Sequence, residues 1–184
     1  MVRGHRPPGT NPARWKGHLD QVLPAPHKVA PVEHHAAMDY RLVPAFMAAL
    51  RRQDGTAARA LEFLALTAAR TGEVTGAIWD EIDFDSKTWI VPAQRMKANR
   101  EHRVPLSPAC VELLRKLPRQ TGNPFIFVGP RPGSGLSKMS MTYVMRALGQ
   151  DGKTTIHGFR SSFSTWAHEQ TAHASHTIEM SLGP

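Results

Sequence analysis

Four side chains in this sequence have the chemistry to grip an anion: Arg70, Lys97, His157 and Arg160. Arg70 opens the tetrapeptide Arg70-Thr71-Gly72-Glu73, just after a long apolar run. If one helix ends at Arg70 and another begins at Thr71, the guanidinium lies beside unpaired backbone N–H groups, which suits a phosphate oxygen. The same arginine would equally serve as a favourable charge at a helix C-terminus. In His157-Gly158-Phe159-Arg160, a helix turning about 100° per residue sets Phe163 and Trp166 within about 40° of Phe159. Arg160 and His157 then fall about 100° and 160° away. One face is thus an expected core stripe, and the other is either a solvated polar face or a pair at i, i+3 that meets one anion. Lys97 stands in Arg95-Met96-Lys97-Ala98-Asn99-Arg100, the expected tip between two strands. A lysine there is an ordinary hairpin charge or, once desolvated, a mobile proton donor.

The elements that must position these groups follow from the hydrophobic period. Pro44 suits a first helical turn, and Val43, Phe46, Met47 and Leu50 follow at i, i+3, i+4, i+7, with Gly55 ending the helix. The spacing predicts a second helix over Thr56–Arg70, apolar nearly all round and therefore buried. A short third helix opens at Thr71 as N-cap, with Glu73 close behind. Ile82 and Phe84 alternate with acids, Asp85-Ser86-Lys87 makes a turn, Thr88–Val91 returns, and Glu101–Leu106 is a third strand. Ser107-Pro108 caps a helix carrying Val111 and Leu114, and Phe125–Val128 is a short buried run followed by a loop over Gly129–Gly135. Ser137 caps a helix with Met141, Val144, Met145 and Leu148 on one face. A long helix runs from near Thr155 to about Gln170, and a final piece covers Ser175–Leu182. Helices, then three antiparallel strands, then helices again describe a mostly helical α+β domain.

Composition narrows the class of partner. Lysine plus arginine number 23 against 15 acidic residues, a formal net charge of +8, which favours a polyanionic partner. Hydrophobic residues make up 41%, enough for a soluble globular core, and no apolar run approaches the roughly 20 residues of a membrane span. Nothing resembles a secretion signal, and the single cysteine, Cys110, sits in an apolar helical pattern where it reads as a buried structural thiol. A reducing cytoplasm is expected. Residues 1–34 differ from the rest. They are proline-rich, and through residue 32 five basic residues stand against Asp20 alone. This reads as a basic arm or linker with a short helical piece at Pro12–Leu19, or as a disordered tail. A zinc site at His168-Glu169 with His173 and His176 fails because the first histidine interval is five rather than four. The loop Gly129–Gly135 is followed by no Gly-Lys-Ser/Thr, so it is no phosphate loop, and no Gly-x-Ser-x-Gly elbow is present.

Individually ordinary, the stretches Arg70-Thr71-Gly72-Glu73, Arg95-Met96-Lys97 and His157-Gly158-Phe159-Arg160-Ser161 in this order resemble the tyrosine recombinases, above all the prophage and satellite-phage integrases. The resemblance covers residues 35–184 as most of a catalytic domain. Residues 1–34 resemble the end of a preceding core-binding domain and its linker. It implies that Arg70 and Arg160 clamp the scissile phosphate of double-stranded DNA, that Lys97 protonates the leaving 5′-oxygen, and that His157 hydrogen-bonds the phosphate. Glu73 resembles the acidic residue that buttresses the site. The family's chemistry passes through a 3′-phosphotyrosyl intermediate with no metal or cofactor. It also implies assembly into tetramers, a bacterial cytoplasmic setting, and neither membrane nor small-molecule substrate. Two departures stand out. A further family ligand position falls on Pro184, which has no donor, and the only tyrosines, Tyr40 and Tyr143, precede His157. The chain is therefore expected to lack its nucleophile and to be inactive alone, either as an incomplete integrase domain or as a non-catalytic DNA-binding remnant.

Overall fold

The structure, a computed structural model, describes residues 36–96 and 98–183, with Leu19 alone before them. The arm and its expected helix, Lys97 and Pro184 lie outside the described residues but for Leu19. Seven α-helices and three strands are described: α1 Val43–Arg51, α2 Thr56–Thr67, α3 Thr71–Thr75, β1 Ile82–Asp83, β2 Thr88–Val91, β3 His102–Pro105, α4 Pro108–Lys116, α5 Ser140–Ala147, α6 Gly158–Gln170 and α7 Ser175–Ser181. This is the mostly helical α+β architecture with a three-stranded antiparallel sheet in the order β1-β2-β3. Ile82 pairs with Trp89, and Trp89 with Val104, so one sheet face puts all three into the core.

Helix α2 is the hub. Ala58, Ala60, Leu61, Phe63 and Leu64 are fully buried, and the helix packs against α1, α4 and α5. Phe63 stacks obliquely on Trp89 at 5.2 Å and on Phe127 at 5.6 Å, which ties helix, sheet and the Phe125–Val128 run together. That run makes only isolated bridges, Ile78 with Phe125 and Val128 with Gly135, yet Ile126 and Phe127 are buried as its composition demands. Cys110 is buried, and burial pushes its thiol pKa up, in keeping with an inert structural role.

Several boundaries differ from expectation, each for a local reason. Helix α2 stops at Thr67, not Arg70: the Thr67 hydroxyl donates back to the Phe63 carbonyl at 2.8 Å, and Ala68 turns left-handed with φ 50°. Arg70, not Thr71, is the N-cap of α3. Strand β1 ends before Phe84 because Asp83 Oδ1 accepts from the Asp85 and Ser86 backbone N–H groups, bending the chain at once. Strand β3 is confined to His102–Pro105. The Ser137 hydroxyl contacts the Ser140 hydroxyl at 3.0 Å, and α5 starts only at Ser140. The expected start of the long helix at Thr155 moves to Gly158, whose N–H donates to the Thr155 hydroxyl at 3.0 Å. The stripe on α6 is also only partly a core stripe. Phe159 is buried beside Phe46, with ring centroids at 5.3 Å, whereas Trp166 is 42% exposed and Phe163 half-buried.

Candidate anion site

The left-handed turn at Ala68 that ends α2 does two things. It sends the chain directly into Arg70, and it aims the Ala68 carbonyl at α6, where Arg160 Nη1 donates to it at 2.6 Å. Arg160 is only 9% exposed, so the face expected to be polar carries a buried guanidinium. Its second amine, Nη2, donates to the Leu182 carbonyl at 2.7 Å. The next carbonyl along, that of Gly183, accepts from Arg70 Nη2 at 3.3 Å. Two arginines 90 residues apart in sequence are thereby brought to adjacent peptide groups of one strap.

Glu73 fixes Arg70 from behind. Its carboxylate accepts from the Arg70 backbone N–H at 2.8 Å and from Arg70 Nη1 at 2.9 Å, while the Glu73 N–H donates to the Arg70 carbonyl at 3.0 Å. The Arg70 backbone N–H is therefore taken by Glu73. The ion pair is sheltered, with Glu73 almost fully buried and the Arg70 side chain about a quarter exposed. Burial lowers the pKa of Arg160, and repulsion from Arg70 lowers it further, against the pull of Glu73 and Glu179. Arginine stays protonated through such a shift, so Arg160 keeps its charge.

His157 lies at the surface at the N-cap position of α6, one turn ahead of Arg160, whose N–H donates to the His157 carbonyl at 3.1 Å. Arg70, Glu73 and Arg160 are brought together, and His157 stands at the edge of the same helix start. Of the tyrosines, Tyr40 donates to Glu169 at 2.9 Å and accepts from Gln170 at 3.0 Å, and Tyr143 is exposed on α5. Among the described residues no group of His, Cys, Asp and Glu has the arrangement to hold a metal ion.

Two contributors were missed in the sequence. Arg95, read there as part of a polar basic loop, closes the 3₁₀ turn Ala93–Arg95 and reaches inward. Its Nη2 donates to the Glu73 carbonyl at 2.9 Å, and its Nη1 to the Gly76 carbonyl, which holds both the middle and the end of α3. Glu81, 8% exposed, pairs with Arg95 at 3.2 Å and accepts from the Trp89 indole at 2.9 Å. A Cβ on Gly76 would come within 2.8 Å of Arg95 Nη1, so the end of that side chain would have to shift to admit one. The second is His102, at the start of β3. Burial lowers its pKa, with Glu73 pulling it up and Arg160 and Arg70 pushing it down, which places it within electrostatic reach of all three. Its signal was available: His102 and Val104 alternate onto the inward face of the strand.

The phage integrase family profile matches residues 37–183, nearly all of the described chain, and the chain belongs to that family. It is 34% identical over 151 residues to the prophage integrase IntZ of Escherichia coli K12, covering 81% of this chain and 38% of that protein. It is 33% identical over 146 residues to the integrase of Enterobacteria phage P4, covering 70% of this chain and 33% of that protein. The chain thus spans about a third of the length of these relatives. Its fold is that of XerA recombinase, with a TM-score of 0.64 at 19% identity, covering 89% of this chain and 60% of that one. A lambda integrase dimer bound to a COC′ core site superposes with a TM-score of 0.61 at 18% identity, covering 84% of this chain and 60% of that one.

Proposed function

We propose that this chain is the phosphate-gripping part of a site-specific DNA recombinase, and that Arg70 and Arg160 hold the non-bridging oxygens of a scissile phosphodiester in duplex DNA. The observation that supports this most is the convergence of two arginines with a single sheltered carboxylate between them and the core. Two guanidiniums against Glu73 leave a net charge of +1, matched to one phosphodiester, and fixed donors of this kind stabilise the charge that builds on phosphorus-bound oxygens during displacement. In the proposed reaction a tyrosine oxygen bonds to phosphorus, the bond to the 5′-oxygen breaks, and Lys97 gives the leaving oxygen its proton. His157 hydrogen-bonds the phosphate from the helix edge, and Glu73 keeps Arg70 in place. Neither Tyr40 nor Tyr143 is assigned as the nucleophile, so the chain by itself binds DNA without cutting it. Pro184 adds no ligand. Lambda integrase has been solved as a tetramer bound to a Holliday junction, and we carry self-association into a tetramer on DNA over as the proposal for the full-length family.

The test is a phosphate titration with duplex binding beside it. Arg160→Ala weakens binding of inorganic vanadate or phosphate, and Lys138→Ala, on the exposed segment before α5, does not. Duplex affinity falls with salt at a log–log slope of about −0.9 per phosphate contacted. A nicked suicide duplex forms no covalent adduct. Equal effects of the two substitutions, or a flat salt response, would remove the reading.

A further inference from the structure

The strap that follows α7 does more than end a helix. Its Leu182 carbonyl accepts a hydrogen bond from Arg160 and its Gly183 carbonyl one from Arg70, at 2.7 and 3.3 Å. Each guanidinium carries five N–H groups, and these protein partners take two, leaving about three on each arginine beyond these contacts. The strap therefore orients both side chains without exhausting them. It lies against His102, whose ring flanks Gly183. Gly183 has φ +76°, and a Cβ there would meet the His102 ring at 3.1 Å, so both backbone conformation and space call for glycine. Strand β3, helix α6, the α3 turn and the end of α7 thus meet at the strap, through the Leu182 and Gly183 carbonyls and the His102 ring beside Gly183.

We infer that the strap Ser181–Gly183 is a positioning element for the arginine pair, and that His102 is the residue that seats it. Carbonyls suit this task better than carboxylates: they fix the guanidinium plane while leaving its charge uncancelled, which a second glutamate would not. The role of the pair in holding phosphate rests on the function proposed above; the mechanical claim does not.

The experiment uses the full 184-residue chain with ¹⁵N-labelled arginine. In the wild-type protein the Arg70 and Arg160 guanidinium N–H signals are dispersed and slow to exchange. Gly183→Ala, and separately His102→Ala, collapse these signals toward free arginine while the melting temperature stays within a few degrees. Inorganic phosphate binding, read on the same signals, weakens about tenfold, the loss of one well-aligned charged hydrogen bond. The two substitutions are coupled: Gly183→Ala costs less in the His102→Ala background, because the ring it would strike is gone. Unchanged guanidinium signals in both variants would overturn the inference. So would tighter phosphate binding in Gly183→Ala, which would make the strap a plug. If the signals collapse as expected but even the wild-type chain binds neither phosphate nor duplex, the strap stands and the proposed function falls.

Discussion

Replacing Arg95 by methionine tests whether the site rests on a buried electrostatic brace. Methionine keeps the length and apolar stem of arginine and removes its charge and donors. Three groups then lose a partner: the Glu81 carboxylate, 8% exposed, and the carbonyls of Glu73 and Gly76. Breaking a buried ion pair by deleting one side costs about 3–5 kcal/mol, mostly because the other charge is left desolvated. Arg95 is 23% exposed, and Glu81 keeps the Trp89 indole N–H, so the lower end applies, about 3 kcal/mol. For a unit of this size each kcal/mol moves the melting temperature by about 2–4 °C, so Arg95→Met melts about 6–12 °C lower. Glu81→Gln alone costs less, because the arginine left behind reaches water. The double variant is therefore more stable than the sum of the singles requires, by at least about 1 kcal/mol. Urea denaturation of the four proteins at neutral pH measures the cycle. An Arg95→Met cost under about 1 kcal/mol, or strict additivity, would show that Arg95 is a surface charge and that α3 holds itself in place.

Two further outcomes follow from the same geometry. Burial holds the His102 pKa below its ordinary 6.5, so the folded protein binds fewer protons than the unfolded chain between that lowered value and 6.5. Stability from the neutral ring is therefore complete above 6.5 and is lost as pH falls through the folded value; denaturation midpoints near pH 7.5 and 5.5 should differ less in His102→Asn than in the parent, and equal differences would refute it. At the start of α6, a Cβ on Gly158 would run into the Ala36 carbonyl and lie 2.9 Å from Ala37 Cα, both rigid backbone, so Gly158→Ala costs about 1–3 kcal/mol, and a neutral result by urea denaturation would mean the 36–37 segment yields freely.

What the sequence made legible was periodic or paired. The apolar spacing of α1 and α2 correctly marked the core, because burial imposes that period directly. Boundaries shifted where a single side chain overruled propensity, as when the Thr67 hydroxyl and the left-handed Ala68 stopped α2 three residues early. The arginines and Glu73 were singled out through their order along the chain. The strap and Arg95 were not, because their work is done by backbone carbonyls and by contacts between residues far apart in sequence, which no local pattern encodes; His102 was passed over although its alternation with Val104 marked it as inward-facing. Arg95 looked like one of several loop charges, and only its depth distinguishes it from Arg100. Arg160 misled in the opposite sense: its angular position placed it on a polar face, whereas the carbonyls of Ala68 and Leu182 make a buried seat for it.

That seat explains why the two arginines differ. Arg70 is paired with a carboxylate, so part of its charge is already answered, and it remains about a quarter exposed with room to adjust. Arg160 has no carboxylate partner within bonding distance among the described residues; it is held by neutral carbonyls and shielded from water, so its full charge acts through a low-dielectric surround. Burying a cation this way is unfavourable in isolation, as its lowered pKa records, and becomes favourable when an anion arrives. On the proposed reading, Arg160 is the group whose burial is offset by phosphate, while Arg70 and Glu73 form a pair that is satisfied with or without it. Phosphate should therefore stabilise the wild-type chain against heat, and that stabilisation should disappear in Arg160→Ala while surviving in part in Arg70→Ala.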